Sequence, residues 1–114
     1  MERESMEFDV VIVGAGLMGT GIAHAFAISG FQTVLVDIST DSLDRAYSNI
    51  TEILKTGVKL GKVTEEAADA ALGTLTLERE LSVGAKNADW VIETVSENLE
   101  AKKAVISTAY DVMA

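Results

Sequence analysis

The chain has 114 residues, 48% hydrophobic and 24% charged, a balance that indicates one small globular domain and not a disordered chain. Its net charge is -9 and no window is rich in Lys or Arg, so we expect neither nucleic acid nor an anionic membrane surface as a partner. With no cysteine and one histidine, the chain excludes disulfides, a cysteine nucleophile and thiolate metal sites, and we expect no metal site.

The N-terminal third carries one apolar segment that could be mistaken for a membrane span. Five glycines and several polar residues interrupt it, and no run reaches about 18 apolar residues. Residues 1–6 are charged and do not resemble the start of a signal peptide, so we expect a disordered leader. The absence of cysteine fits a reducing compartment, and the expected location is the cytoplasm, or the mitochondrial matrix if the source is eukaryotic.

A βαβ unit is predicted first. Phe8 to Val13 is a continuous apolar, β-branched run, typical of a strand buried on both faces of a parallel sheet. A helix follows from Leu17 to a stop at Gly30, and a second strand, Thr33 to Val36, ends at Asp37. The helical spacing places the following residues on one apolar face: Met18, Ile22, Ala25, Phe26 and Ser29.

Residues 39–73 are predicted to form a helical insertion. Ser39 or Thr40 caps the first of its helices, which Gly57 ends; Thr64 caps the second, which Gly73 ends. The apolar positions of the first helix recur at spacings of three and four: Leu43, Ala46, Ile50, Ile53 and Leu54.

Two strands and a helix complete the predicted elements. Leu75 to Leu77 is a short strand, and Trp90 to Val95 is a stronger one. The last helix begins near Asn98, with one face formed by Ile106, Ala109, Tyr110 and Met113. The fold class is α/β, a Rossmann-type doubly wound parallel sheet that is incomplete at the C-terminal end, because no strand follows this helix. The unpaired strand edge leads us to expect self-association.

The segment Gly14-Ala15-Gly16-Leu17-Met18-Gly19 has the spacing of a dinucleotide-binding turn. The first glycine permits the tight turn, the second leaves room for a pyrophosphate, and the third lets helix and strand pack closely. The pyrophosphate then meets unpaired N–H groups at the helix N-terminus. The same glycines would also serve a strand-to-helix turn that binds nothing.

Asp37 supplies the acidic partner of this turn. It lies 18 residues after Gly19, close to the expected separation of about 20. A carboxylate there accepts hydrogen bonds from both ribose hydroxyls and repels the additional phosphate of NADP. Because the next three residues include no arginine, the predicted cofactor is NAD. A solvated strand end or a helix cap is the alternative role for Asp37.

The sequence resembles the NAD-binding domain of the 3-hydroxyacyl-CoA dehydrogenase family over nearly its whole length. The matching stretches are VVIVGAGLMGTGIAHAFAISGFQTVLVDIS, KTGVKLGKVTEEAADAAL and ADWVIETVSENLEAKKAV, in the family's order. The resemblance implies reversible oxidation of an (S)-3-hydroxyacyl-CoA to the 3-ketoacyl-CoA with NAD, in fatty-acid metabolism.

Three site residues are implied only by this resemblance. The backbone of Thr94 would line the nicotinamide half of the site, and Glu97 and Lys102 would lie beside it. Glu97 could instead be a carboxylate at a helix N-terminus, and Lys102 part of a solvated helix face. The CoA phosphates would lie near Lys55, Lys59 and Lys62, for which exposure alone is the simpler interpretation.

The catalytic residues of the family are not expected in this chain. The family's histidine, its activating glutamate and its helical substrate and dimerisation domain correspond to positions after Ala114. His24 is predicted to point away from the apolar face of its helix and not to act as a base. We therefore expect this chain alone to bind NAD without catalysis, with acyl-CoA a substrate of the full-length parent only.

Two other functions share the glycine turn and the acid. A non-catalytic NAD-sensing module would not be expected to carry the insertion at residues 39–73. An FAD-binding flavoprotein fragment would be expected to fill that region differently, and a yellow preparation would identify it.

Overall fold

A computed structural model describes residues 7–94 and 99–113, which form a parallel sheet between two layers of helices. The elements in chain order are β1 (Val10–Val13), α1 (Leu17–Ile28), β2 (Thr33–Val36), α2 (Thr40–Lys59), α3 (Glu65–Thr74), β3 (Leu75–Glu78), α4 (Leu81–Gly84), β4 (Trp90–Glu93) and α5 (Leu99–Val112). Within the described ranges, no helix is long and apolar enough to cross a membrane.

The four strands are ordered β3-β2-β1-β4, and every pairing is parallel. In the central pair, Val10 lies opposite Thr33; on its other side Val10 lies opposite Trp90. Every residue of β1 and β2 is buried, whereas β3 and β4 at the edges are mostly half-exposed. The predicted parallel α/β sheet is confirmed.

Alternation along the central strands divides the core between the two faces. Ile12 and Leu35 point to the layer of α1, α2 and α3, where they pack with Ile50 and Leu54. Val11, Val13, Val34 and Val36 point the other way, towards α4 and α5. Because successive side chains of a strand alternate in direction, a continuous apolar run fills both cores, as a doubly wound sheet requires.

The first helix buries a different face from the predicted one. Met18 and Ala25 are exposed, and the buried positions are Gly19, Thr20, Ala23 and Ala27. The helix is apolar on nearly every side, so its spacing does not single out a face. Small residues face the sheet because α1 lies close against β1.

Two predicted helix ends are wrong, although the predicted caps are present. Ser39 Oγ accepts a hydrogen bond from Ser42 N at 3.1 Å, and Thr64 Oγ1 accepts one from Ala67 N at 3.0 Å. Gly57 lies inside α2, where a Cβ would come 3.1 Å from Val63 Cγ2, so this glycine makes room for packing and does not end the helix. The second helix likewise continues through its predicted last residue to Thr74.

Three further differences concern α2, α4 and α5. Of the predicted buried positions in α2, Ile53 is exposed, because it lies at the edge of the apolar stripe. On the predicted face of α5, Ala109 is buried but Ile106 and Tyr110 are exposed beside β4. The short helix α4 was not predicted; its Gly84 lies tightly against Val36.

Candidate functional site

The carboxyl ends of three neighbouring strands bring the predicted site together. Val13, at the end of β1, lies opposite Val36 of β2 and Glu93 of β4. The glycine turn, Asp37 and Thr94 directly follow these strand ends. In open parallel sheets, ligands bind at this edge, where neighbouring connections leave in opposite directions.

The glycine turn is shaped so that α1 begins beside open space. Gly14 has φ 108°, a conformation that favours glycine, and its N–H donates to Val36 O at 2.8 Å. A Cβ on Gly16 would meet no atom within 4 Å, and Gly16 caps α1 without a side-chain hydrogen bond. Leu17 and Met18 point outwards, 89% and 69% exposed. The first N–H groups of α1 are therefore available to an anion.

Gly19 allows α1 to approach β1 more closely than any other residue would. A Cβ at this position would overlap the carbonyl oxygen of Gly14 and would lie 3.0 Å from Thr94 Oγ1. The overlap involves backbone, which cannot move aside as the end of a flexible side chain can. The position of the helix N-terminus over the strand end thus depends on this glycine.

The Asp37 carboxylate is fixed by two backbone N–H groups. Its Oδ2 accepts from Ala15 N at 2.8 Å, and its Oδ1 accepts from Ser39 N at 2.9 Å. The first bond ties the end of β2 to the glycine turn, and the second orders the start of α2. Each carboxylate oxygen has further capacity to accept, so the group can hold the turn and still receive ribose hydroxyls.

A cavity of about 240 Å³ opens beside Asp37. Gly14 and Asp37 form one side, while Ala101 and Val105 of α5 form another. Ile38 and Arg79 also line it. Arg79 was not among the predicted site residues. It lies in the turn after β3, and only the pairing of β3 with β2 brings it close to Asp37.

Thr94 connects β4 to the glycine turn. Its N donates to Val13 O at 2.8 Å, and its Oγ1 lies 2.8 Å from Val13 O and 3.1 Å from Gly14 O. Thr94 thus supports the turn through its side chain, in addition to the backbone position that the resemblance implies.

Of the other two residues implied for the nicotinamide half, the structure describes only Lys102. Glu97 lies outside the described residues. Lys102 Nζ lies 3.4 Å from Glu93 Oε1, and both side chains are partly or largely shielded from solvent. The second oxygen, Glu93 Oε2, is buried and has no hydrogen-bond partner within the described part of the chain. Glu93, at the strand end, was not among the predicted site residues.

The remaining candidates lie elsewhere. The lysines proposed for the CoA phosphates are exposed on α2 and the turn after it: Lys55, Lys59 and Lys62. His24 is half-buried on α1. Among the described residues, no group of three potential ligands could hold a metal ion. A cavity of about 300 Å³ between Phe31 and Trp90 lies at the amino edge of the sheet, opposite the glycine turn.

A glycine turn opening a helix, with a fixed carboxylate at the end of the next parallel strand, defines a dinucleotide-binding domain of the Rossmann type. The family model described as 3-hydroxyacyl-CoA dehydrogenase, NAD binding domain, matches residues 9–114. The chain therefore belongs to this family, and NAD is its cofactor.

Individual relatives agree with this assignment. The chain is 40% identical over 103 residues to 3-hydroxyadipyl-CoA dehydrogenase of Escherichia coli (strain K12), covering 90% of this chain and 22% of the relative. It is 41% identical over 96 residues to 3-hydroxybutyryl-CoA dehydrogenase of Bradyrhizobium diazoefficiens, covering 84% and 32%. The crystal structure of (S)-3-hydroxybutyryl-CoA dehydrogenase from Ralstonia eutropha matches with a TM-score of 0.84 and 32% identity, covering 92% and 37%. The chain thus spans between 22% and 37% of the length of these proteins.

Proposed function

We propose that this chain is the cofactor-holding part of an enzyme that oxidises (S)-3-hydroxyacyl-CoA to 3-ketoacyl-CoA, with NAD accepting the hydride. The fixed Asp37 carboxylate carries the proposal, because both oxygens are already oriented by backbone N–H groups beside the glycine turn. The names of the relatives support a hydroxyacyl-CoA substrate for the whole protein.

The proposed orientation of NAD follows the two halves of the site. The pyrophosphate lies over Gly16 at the N-terminus of α1, and the adenosine ribose lies on Asp37. The nicotinamide half extends towards β4 and α5, where Thr94 and Lys102 lie. Glu97 comes between these two residues in the sequence. The Asp37 carboxylate disfavours a phosphate on the ribose and selects NAD over NADP.

The chain on its own is proposed to bind NAD without catalysing the reaction. Its only histidine, His24, is half-buried on α1 and has no hydrogen bond to Asp37 or Thr94 among the described contacts. Mixing the pure chain with NADH and a 3-ketoacyl-CoA should leave the dihydronicotinamide absorbance constant. A decrease that requires the 3-ketoacyl-CoA would contradict this part of the proposal.

The binding proposal is tested by titration with NADH and, separately, NADPH. Energy transfer from Trp90, the single tryptophan, to the dihydronicotinamide reports the bound fraction. We expect saturable binding of NADH and much weaker binding of NADPH. Asp37→Ala should weaken NADH binding about tenfold or more, since it removes charge-assisted hydrogen bonds.

The matched control is Asp41→Ala, which removes an exposed carboxylate from the first turn of α2. This variant should bind NADH as the unaltered chain does. Equal losses in both variants would mean that net charge, and not the ribose contact, determines affinity. No binding of either nucleotide would contradict the proposal for this chain.

We further propose that the chain self-associates along β4. Among the described residues, β4 pairs only with β1. The surroundings of its other edge are apolar: Trp90 is 71% exposed, and Ile106 and Tyr110 are exposed on α5. An apolar strand edge with unpaired backbone groups favours association. A monodisperse monomer at high concentration, measured by light scattering, would contradict this proposal.

A further inference from the structure

We propose that Arg79 determines how the adenosine end of NAD is bound: its guanidinium stacks on the adenine ring in the cavity beside Asp37. This inference rests on the proposed function, because it assigns a residue to the same NAD site. Arg79 belongs to none of the sequence motifs that identify the site.

The pairing of β2 and β3 places Arg79 next to Asp37. The ladder continues past the ends of both strands, since Asp37 N donates to Glu78 O at 3.1 Å. The next residue, Arg79, therefore emerges beside Ile38. Its Nε donates to Ile38 O at 3.3 Å, which holds the guanidinium close to the residue that follows the ribose-binding acid.

The turn that carries Arg79 is ordered by its own neighbour. Glu78 Oε2 accepts hydrogen bonds from Arg79 N and from Glu80 N, both at 2.9 Å. The peptide N–H groups before and after the Cα of Arg79 are thus both held, although its side chain is exposed. A guanidinium on an ordered turn loses less conformational freedom on binding than one on a loose loop.

Among the described residues, the charge of Arg79 has no acidic partner. In residues 7–94 and 99–113, no carboxylate lies within ion-pair distance of its guanidinium; the ion pair there joins Lys102 and Glu93. Only Nε has a hydrogen-bond acceptor among the described atoms. In a chain of net charge -9, a cation without a partner beside an anion-binding turn is available for a ligand.

The lining of the cavity favours a planar, partly apolar group. Ala101 and Val105 of α5 face it from one side, and Arg79 and Ile38 line it from the other. Its volume of about 240 Å³ suits one ring system and not a whole dinucleotide. Guanidinium groups stack on aromatic faces and on nucleobases, which ammonium groups do less well.

A phosphate on the ribose is the other ligand that an arginine at this place could bind. The Asp37 carboxylate occupies the ribose position and would repel such a phosphate. The adenine ring carries no charge and meets no such repulsion. The structure therefore favours the base as the partner of Arg79.

The test uses adenosine 5′-monophosphate, which contains the adenine half of the cofactor and little else. Titration of ¹⁵N-labelled protein should shift the amide signals of Gly14 and Gly16 together with the Nε–H signal of Arg79. Arg79→Ala should weaken binding of this nucleotide and of NADH about fivefold. Arg79→Lys should bind with intermediate affinity, because it keeps the charge but not the planar group.

Two controls separate this role from general charge effects. Arg45→Ala removes an exposed arginine of α2 that does not line the cavity, and it should bind as the unaltered chain does. Nicotinamide mononucleotide lacks the adenine, and its binding should be the same in the Arg79 variants and the unaltered chain.

The possible results separate a failure of the Arg79 proposal from a failure of the NAD site. If Arg79→Ala binds the adenine nucleotide as tightly as the unaltered chain, Arg79 has no role and the NAD site stands without it. If Arg79→Ala loses only NADPH binding, Arg79 contacts a phosphate and the stacking proposal is wrong. If millimolar nucleotide moves neither the glycine amides nor Arg79, the proposed function fails and this inference with it.

Discussion

The two sides of the cofactor site are built in different ways. On the β1–β2 side, both strands are wholly buried, and one carboxylate ties the glycine turn to the start of α2 through bonds of 2.8 and 2.9 Å. On the β4–α5 side, the strand is half-exposed and is connected to the turn mainly through Thr94.

The difference shows where the site is preorganised. The adenosine end is formed by short-range backbone geometry and by strands with neighbours on both sides. The nicotinamide end relies on an edge strand and on a helix that leaves two large apolar side chains, Ile106 and Tyr110, exposed. Binding of the adenosine half should therefore tolerate changes in β4 and at Lys102 better than changes in the turn. Four variants test this contrast, ordered by their expected effect on the free energy of unfolding.

Gly19→Ala should have the largest effect. A Cβ there overlaps the Gly14 carbonyl, so α1 must move away from β1, at a cost of about 3 kcal/mol. Urea denaturation measures the change, and NADH binding should be lost with it. Gly21→Ala is the matched control on the same helix: a Cβ there meets nothing within 4 Å, and the variant should be stabilised by about 0.5 to 1 kcal/mol. Similar stabilities for both variants would refute the close approach.

Thr94→Val tests the connection between the two sides. It keeps the shape of the side chain but removes the hydroxyl from Gly14 O, which should cost about 1 kcal/mol in urea denaturation. NADH binding should weaken further than binding of adenosine monophosphate, because the change lies on the nicotinamide side. Thr94→Ser keeps the hydroxyl and should restore most of both losses. If serine behaves as valine does, the hydroxyl is not what supports the turn.

Lys102→Ala should destabilise the chain by about 1 kcal/mol, since it leaves the largely buried Glu93 carboxylate without its cation. If Lys102 contacts the nicotinamide half, NADH affinity should fall several-fold while affinity for adenosine monophosphate stays constant. Lys103→Ala, on the exposed face of α5, should change neither. Equal NADH affinities in the two variants would show that Lys102 does not contact the cofactor.

Ile106→Gln combined with Tyr110→Gln should leave the free energy of unfolding nearly unchanged, because both side chains are exposed and glutamine is a good helix former. The proposed self-association should decrease, with a smaller mean mass in light scattering. Ile53→Gln, which replaces an exposed isoleucine on α2, is the control and should keep the original mass. An unchanged mean mass in the double variant would show that the contact between chains does not involve Ile106 and Tyr110 of α5.

The sequence predicted most reliably what depends on neighbouring residues. The strand before Gly14, the acid at the end of the next strand and the caps at Ser39 and Thr64 are local signals, and the structure contains all of them. The parallel order of the strands followed from the same βαβ pattern.

What the sequence did not predict depends on contacts across the sheet. Arg79 lies near Ile38 only because β3 pairs with β2, which no spacing in the sequence reveals. The buried face of α1 was misassigned because the helix is apolar nearly all round, and its closeness to the sheet selects Ala23 and Ala27. Gly57 was taken as a helix end because its role, contact with Val63, is tertiary.

The strand order has a consequence for how the chain folds. The pairings of β1 with β2 and of β2 with β3 join residues 23 and 42 positions apart (Val10 with Thr33, Thr33 with Leu75), whereas β4 pairs Trp90 with Val10, 80 positions away. Contacts between distant residues form later, because closing a longer loop costs more entropy. In the finished protein, the amide hydrogens of β4 should exchange with solvent sooner than those of β1.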